Sequence, residues 1–306
     1  MIIDMSRSVK KGIPLAVLAA ALYAINSPLS KILLAYMPPT LMAGFLYVGA
    51  GLGMGVIALA GRLGGHRRSE AGFTKKDLPF VLAMILLDIA APICLLFGLR
   101  ATTAASASLL NNFEIVATAV IALAIFKEKI SPRLWTGILF VVLSCALLCF
   151  EDITSLQFSR GSLLVLLACV CWGFENNCTR KLSAGDPLQI VLLKGIFSGL
   201  ASVMIGFFTG ERVTVLWSIF AVLCVGFVAY GLSIFFYVYA QRLLGAARTS
   251  AYYAVAPFIG ALLSLIIFRE WPPHTYFIAL GLMVIGSWLC SSDKPLFQKS
   301  KKTAIR

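Results

Sequence analysis

Residues 22–31, LYAINSPLSK, return 149 positions later as residues 171–180, CWGFENNCTR. Tyr23 meets Trp172, Asn26 meets Glu175, Ser30 meets Thr179, Lys31 meets Arg180, and Pro38 then meets Pro187. A second echo lies further along, where Phe126-Lys127-Glu128 matches Phe268-Arg269-Glu270 at a spacing of 142. The second half of the chain therefore reads as a diverged copy of the first. The spacing shortens because the basic, Gly-rich stretch 61–76 has only a short counterpart near Gly210 and Arg212.

The copied unit is made for lipid. Of 306 residues, 60% are hydrophobic and 13% charged, whereas soluble domains carry about 45–50% and about 25%. A helix needs roughly 20 apolar residues to cross a bilayer. Ten such stretches can be drawn, at 13–36, 40–60, 78–98, 103–126, 134–149, 161–181, 188–209, 213–240, 246–268 and 276–290. The first follows a basic flank, Lys10-Lys11, but runs too long for a signal peptide and takes part in the repeat, so it is expected to be an uncleaved span. The fold class expected is all-α, a polytopic membrane protein of ten transmembrane helices in two five-helix repeats, 12–150 and 161–291, followed by a basic tail, 292–306.

A net charge of +13 in a soluble chain would point to nucleic acid. Here Lys and Arg instead collect between spans, as they do in loops retained in the cytoplasm. With the N-terminus inside, twenty fall in inner segments and four (Arg100, Arg160, Arg212 and Arg269) in outer ones. Lys31 and Lys194 lie within spans. Both termini are thus expected in the cytoplasm. Five spans per repeat is an odd number, so the second repeat must enter from the opposite face. Inverted repeats of this kind mark secondary transporters.

Gly49, Gly51, Gly53 and Gly55 in the second span, and Gly195 and Gly199 in the seventh, form GxxxG patterns that let helices approach closely. They are read as packing within one chain; a monomer and a homodimer both remain open. The eight cysteines all lie in apolar segments with no CxxC pair, giving neither a disulfide nor a metal site. No phosphate-binding GxxxxGK[ST], HExxH or GxSxG pattern occurs, and His66 and His274 fall in loops or at a span edge. No cofactor is implied.

Polar groups at mid-membrane cost about 2.5–3.5 kcal/mol each and mark function or a buried partner. Asp88 falls near the middle of span three and Glu114 near the middle of span four. Glu175 and Lys194 sit at similar depth in spans six and seven. Asn111 and Glu114 share a helix face, as do Trp172 and Asn176. Asn26, Asn111, Trp172 and Asn176 are the candidate substrate-binding residues, with Tyr23 and Phe113 as apolar walls. Glu175, Glu114, Asp88 and Lys194 are the candidate coupling residues. Glu175 either exchanges a proton or forms a fixed ion pair with Lys194. Asp88 and Glu114 have no basic partner visible in sequence. Lys31 is expected to snorkel from the outer end of span one, Glu128 and Glu270 to serve the helices that follow them, and Tyr252 and Tyr253 to pack.

Ten spans, two five-helix repeats, an aromatic-Gly/Ala-x-x-Asn-like motif early in each, and Phe-Lys/Arg-Glu ending each fourth helix resemble EamA-type transporters of the drug/metabolite transporter superfamily over residues 12–291. The usual Pro of the fourth helix is Pro257 in the second repeat; Ile115 takes the matching place in the first. The resemblance implies a bacterial inner-membrane exporter of small metabolites, commonly amino acids or related compounds, with a cavity between the repeats. Its small multidrug resistance branch couples protons through a Glu in the first helix. Glu175 holds that place in the second repeat and Asn26 in the first. Substrate and protons are the expected ligands, and the bilayer the expected surroundings. An intramembrane lipid or prenyl transferase and a channel are the alternatives.

Overall fold

The computed structural model describes residues 2–63, 74–127, 130–152, 157–182, 186–244, 249 and 252–291. Glu128, most of the basic stretch 61–76 and the tail 292–306 lie outside the described residues. The helices are α1 (Ile2–Ala24), α2 (Asn26–Leu33), α3 (Pro39–Leu63), α4 (Leu78–Ala101), α5 (Ala104–Leu110), α6 (Phe113–Phe126), α7 (Pro132–Cys149) and α8 (Arg160–Leu182). They continue with α9 (Pro187–Leu193), α10 (Gly199–Phe208), α11 (Leu216–Val225), α12 (Ser233–Leu244), α13 (Ala256–Phe268) and α14 (His274–Ser291). The chain is an all-helical, polytopic membrane protein, apart from a short antiparallel ribbon between α7 and α8 pairing Phe150 with Phe158 and Asp152 with Gln157.

Eight helical stretches are long and apolar enough to cross a membrane, and two shorter apolar helices, Ala256–Phe268 and His274–Cys290, follow them. Several are interrupted. The first span turns at Ile25 between α1 and α2, and the fourth at Asn111 and Asn112 between α5 and α6. A matching turn precedes α13. Pro28 explains the first, since it has no N–H for the carbonyl of Ala24. The fourth turns without a proline; the Asn112 amide bonds the Leu109 carbonyl at 3.3 Å and so competes with the helix ladder. Two π-helical turns, Lys194–Ser198 and Gly226–Leu232, interrupt the helices from α9 to α10 and from α11 to α12.

The bundle has an apolar exterior and buries its mid-span charged groups within a largely apolar core. Leu86, Phe220 and Val56 are 65%, 73% and 68% exposed, facing outward, while Asp88 on the same helix as Leu86 is fully buried. In lipid, helices associate by close packing, which small residues permit. Here α3 is wedged between the segments 187–208 and 216–244. A Cβ on Gly195 would fall 2.4 Å from the Gly51 Cα, and one on Gly49 2.2 Å from the Leu223 carbonyl oxygen. The GxxxG glycines named above thus serve contacts within the chain. Elsewhere α8 lies against α4 and α6, α1 against α12 and α13, α5 against α13, and α7 against α14.

Phe126-Lys127 and Phe268-Arg269 share a rare backbone. Lys127 and Arg269 are left-handed, at φ 54° and 53°, each ending its helix. A non-glycine residue there costs about 1–2 kcal/mol, and a cation at a helix C-terminus recovers part of it.

Two charged side chains close helix ends. Lys31 does not snorkel freely: its Nζ donates to the carbonyls of Leu99 at 2.6 Å, Thr102 at 2.7 Å and Arg100 at 3.4 Å, serving the C-terminus of α4. The Glu211 carboxylate accepts from the backbone N–H of Leu41 at 2.8 Å and Thr40 at 3.2 Å, at the N-terminus of α3. Negative charge there meets unpaired N–H groups and the positive helix end. Glu211→Ala should lower stability by about 1–2 kcal/mol, read as an earlier melt of purified protein. An unchanged melt would show that water serves those N–H groups equally well.

Candidate functional site

Of the eight long spans, Arg160–Leu182 has the lowest mean hydropathy, 1.3. That low value reflects the polar run Glu175-Asn176-Asn177, and the site is built around it. Its two faces meet different partners.

One face is sealed. Lys194, the first residue of a π-helical turn, brings Nζ to 2.7 Å from Glu175 Oε1 and 3.2 Å from Asp88 Oδ2. Thr179 donates its hydroxyl to the same Glu175 oxygen. Tyr47 donates to Asp88 Oδ1 at 2.7 Å. Asp88, Glu175 and Lys194 are 0%, 4% and 6% exposed. Asp88 thus has the basic partner that sequence did not show, because Lys194 lies on a helix distant in the chain. Asp88 Oδ2 accepts no aligned hydrogen bond and relies on the lysine's charge. One cation serves two carboxylates, an arrangement that stays in lipid only with its hydrogen bonds kept.

The other face is less deeply buried. Asn176 donates its amide to Glu114 Oε1 at 2.6 Å and lies 3.3 Å from Thr118 Oγ1. Asn176, Glu114 and Thr118 are all half-buried, although they lie within the spans. Glu114 is held by the Asn176 amide, whereas Asp88 and Glu175 are held by the Lys194 ammonium. Asn177 is occupied structurally, donating to the carbonyls of Gly173 and Thr118 at 2.8 and 3.1 Å.

Aromatic rings join the two halves of the chain. Tyr230 lies 5.2 Å from Tyr47 and 6.1 Å from Tyr23 between ring centres, and Tyr23 lies 6.0 Å from Tyr253. Asn26, 1% exposed, donates to the Tyr230 hydroxyl at 3.3 Å and accepts from Ser30 at 3.0 Å. Trp172 and Phe113 pack into or against the apolar core. A cavity of about 10 Å³ opens where the interrupted helices meet, lined by Tyr23, Ala24, Ser27, Ser108, Asn111, Ala256, Pro257 and Gly260.

The structure therefore brings Asp88, Glu175 and Lys194 together, pairs Glu114 with Asn176, and places Tyr23 and Asn111 on one cavity. Sequence reading missed Tyr47, Tyr230, Ser27, Ser108 and Thr118, and gave Tyr253 to packing. One signal was present. Tyr230 follows Asp88 by 142 positions, the spacing of the Phe-Lys/Arg-Glu echo, just as Glu175 follows Asn26 by 149. By those two spacings, Asn26 and Tyr230, which bond each other, are the sequence counterparts of Glu175 and Asp88. Among the described residues, no three His, Cys, Asp or Glu side chains are grouped to hold a metal ion.

Comparisons with known proteins fit this picture. A solved structure described only as a protein crystal structure aligns with a TM-score of 0.64 over 92% of this chain and 96% of its own, at 17% identity, a likeness of fold alone. An uncharacterized transporter of Methanothermobacter thermautotrophicus is 28% identical over 141 residues, 44% of this chain. The chain spans only 41% of the length of that relative. The model of the EamA-like transporter family matches residues 10–150 and again residues 159–292. With nearly its whole length matched by that family, and its charged groups gathered inside a helical bundle with an apolar exterior, the chain belongs to the EamA-like transporter family and is a multi-pass membrane protein.

Proposed function

We propose that this protein is a secondary active transporter that exports small metabolites, such as amino acids or related compounds, across the bacterial inner membrane by alternating access, with protons as the coupling ion. Ten spans form two inverted five-helix repeats, 12–150 and 161–291, with both termini in the cytoplasm. Three observations support that architecture: the family model matches twice, Lys127 and Arg269 share their left-handed turn, and the packing pairs exchange correctly. If the halves swap by a two-fold axis, α8 between α4 and α6 becomes the first span between α12 and α13, as found.

The observation that carries proton coupling is the contrast between acids. Glu175 and Asp88 are sealed against Lys194, whereas Glu114 is half-buried and held by a neutral amide. A half-buried mid-membrane carboxyl with no fixed cation can take up and release a proton as the cavity changes sides. Glu114 is therefore the proton carrier, and the Asp88–Lys194–Glu175 group holds the sixth span in place. Asn111, Asn176 and the tyrosines face the substrate, with Trp172, Phe113 and Asn26 supporting the walls.

In proteoliposomes carrying a pH gradient, Glu114→Gln should reduce gradient-driven flux at least about tenfold while leaving substrate counterflow intact, because the amide keeps its hydrogen bond but carries no proton. Undiminished, still pH-driven flux in Glu114→Gln would remove that residue from coupling.

A further inference from the structure

The cavity at the helix interruptions holds an unanswered hydroxyl. Ser108 Oγ is buried, the residue being 2% exposed, and has no hydrogen-bond partner. A buried hydroxyl left unpaired costs about 1–3 kcal/mol, so its place calls for a partner. Facing it is the carbonyl of Ala24, whose usual helix donor four residues on is Pro28, which has no N–H. Both atoms lie against Gly260, where a Cβ would fall 2.9 Å from the Ala24 oxygen and 3.0 Å from Ser108 Oγ. Ala24, Ser108 and Gly260 all line the cavity, and a side chain on Gly260 would press on both oxygens. Ser27, 4% exposed, and Asn111, 6% exposed, complete the lining.

The volume, about 10 Å³, suits one water-sized group. That group must accept from a hydroxyl and donate to a carbonyl. A hydroxyl or a primary amide does both. A carboxylate or phosphate does not, since the lining carries no cation and the carbonyl repels an anion. Lys194, the cation nearest in kind, is occupied by two carboxylates and sealed. Glu114, one helical turn beyond Asn111, supplies a carboxylate for a cation, and Tyr23 and Tyr253 supply the ring faces that suit an ammonium.

We infer that Ser108, the Ala24 carbonyl and Gly260 form a substrate subsite for one neutral hydrogen-bonding group, and that the substrate is a small amine ending in a hydroxyl or amide rather than in an acid. This rests on the reading of the site as a transport pathway and narrows its substrates to compounds related to amino acids that lack their carboxylate.

The test uses purified full-length protein and matched probes. Ethanolamine and propylamine have the same number of heavy atoms and differ by a hydroxyl for a methyl group; glycinamide and β-alanine extend the set to an amide and a carboxylate. Ligands that bind the folded state raise its melting temperature. Ethanolamine should half-saturate that rise at about tenfold lower concentration than propylamine, the worth of one hydrogen bond, and β-alanine should bind more weakly than glycinamide. Ser108→Ala should bring ethanolamine and propylamine within about twofold of each other. It should also raise the melting temperature without ligand, because it removes the unpaired hydroxyl, whereas a serine kept for structure would lose stability.

Equal binding of the two amines to the native protein, no saturation by ethanolamine or glycinamide, or a preference that survives Ser108→Ala would each overturn the proposal and leave the cavity to a resident water. Proton flux in proteoliposomes separates this from the coupling reading. A hydroxyl preference without amine-driven proton movement would sink coupling and keep the subsite; proton-coupled transport without the preference would sink the subsite and keep coupling.

Discussion

Lys194→Met should destabilise the protein by about 3–5 kcal/mol, the loss seen when one member of a buried ion group is removed. Lys194 Nζ is 2.7 Å from Glu175 and 3.2 Å from Asp88, and all three residues are under 7% exposed. Methionine fills the volume of the lysine stem but leaves two carboxylates facing each other in a space with no other cation among their contacts. The expected result is early melting in detergent and poor recovery of folded protein. The triple variant Asp88→Asn, Glu175→Gln, Lys194→Met should recover most of that loss, because it removes the charges together and keeps the shapes. A single variant as stable as the native protein would show that this ion group does not hold the helices together.

Gly226→Ala should be the second severe lesion. A Cβ there would sit 2.0 Å from the Leu46 carbonyl oxygen, and its neighbouring contact, Gly49 to the Leu223 carbonyl, is 2.2 Å. Both obstacles are backbone, which cannot swing aside as a side chain would, so α3 must separate from the segment 216–244. Overpacking costs about 1–3 kcal/mol, and more when the backbone must move. In lipid, lost contact is not offset by a hydrophobic drive to re-form. Gly281→Ala is the control. Nothing lies within 4 Å of its Cβ position, and alanine in an exposed helix is favoured by up to about 1 kcal/mol. If Gly226→Ala melted like Gly281→Ala, the close approach of the two helices would not hold in the membrane.

Much of the fold was legible because lipid imposes length and composition. The apolar stretches located the eight long spans within a few residues, while the ninth stretch, drawn from 246, matches a helix that begins at Ala256. The polar run from Glu175 to Asn177 located the site. What sequence did not reveal depends on contacts between distant helices. Asp88 and Lys194 are 106 positions apart, and no periodicity within one helix could pair them. The same limit hid Tyr47, which donates to Asp88 from a third helix. Ser27 and Ser108 looked ordinary, since small hydroxyl residues are common in membrane helices; only a missing partner makes Ser108 informative. The π-helical turns carry no sequence signature at all, so the rotational position of Lys194 could not be read in advance.

Those wide turns have a mechanical implication. Each holds one residue more than a regular turn needs, as a fold in a carpet holds spare length. Passing the fold along by one position exchanges each carbonyl partner for its neighbour and swings the side chains it crosses by about 100°. Lys194 opens one such turn and Tyr230 sits inside the other, whereas α4 and α8, which supply Asp88 and Glu175, run without interruption. The slack thus resides in the two segments that carry Lys194 and Tyr230, and the stiffness in the two helices that carry Asp88 and Glu175.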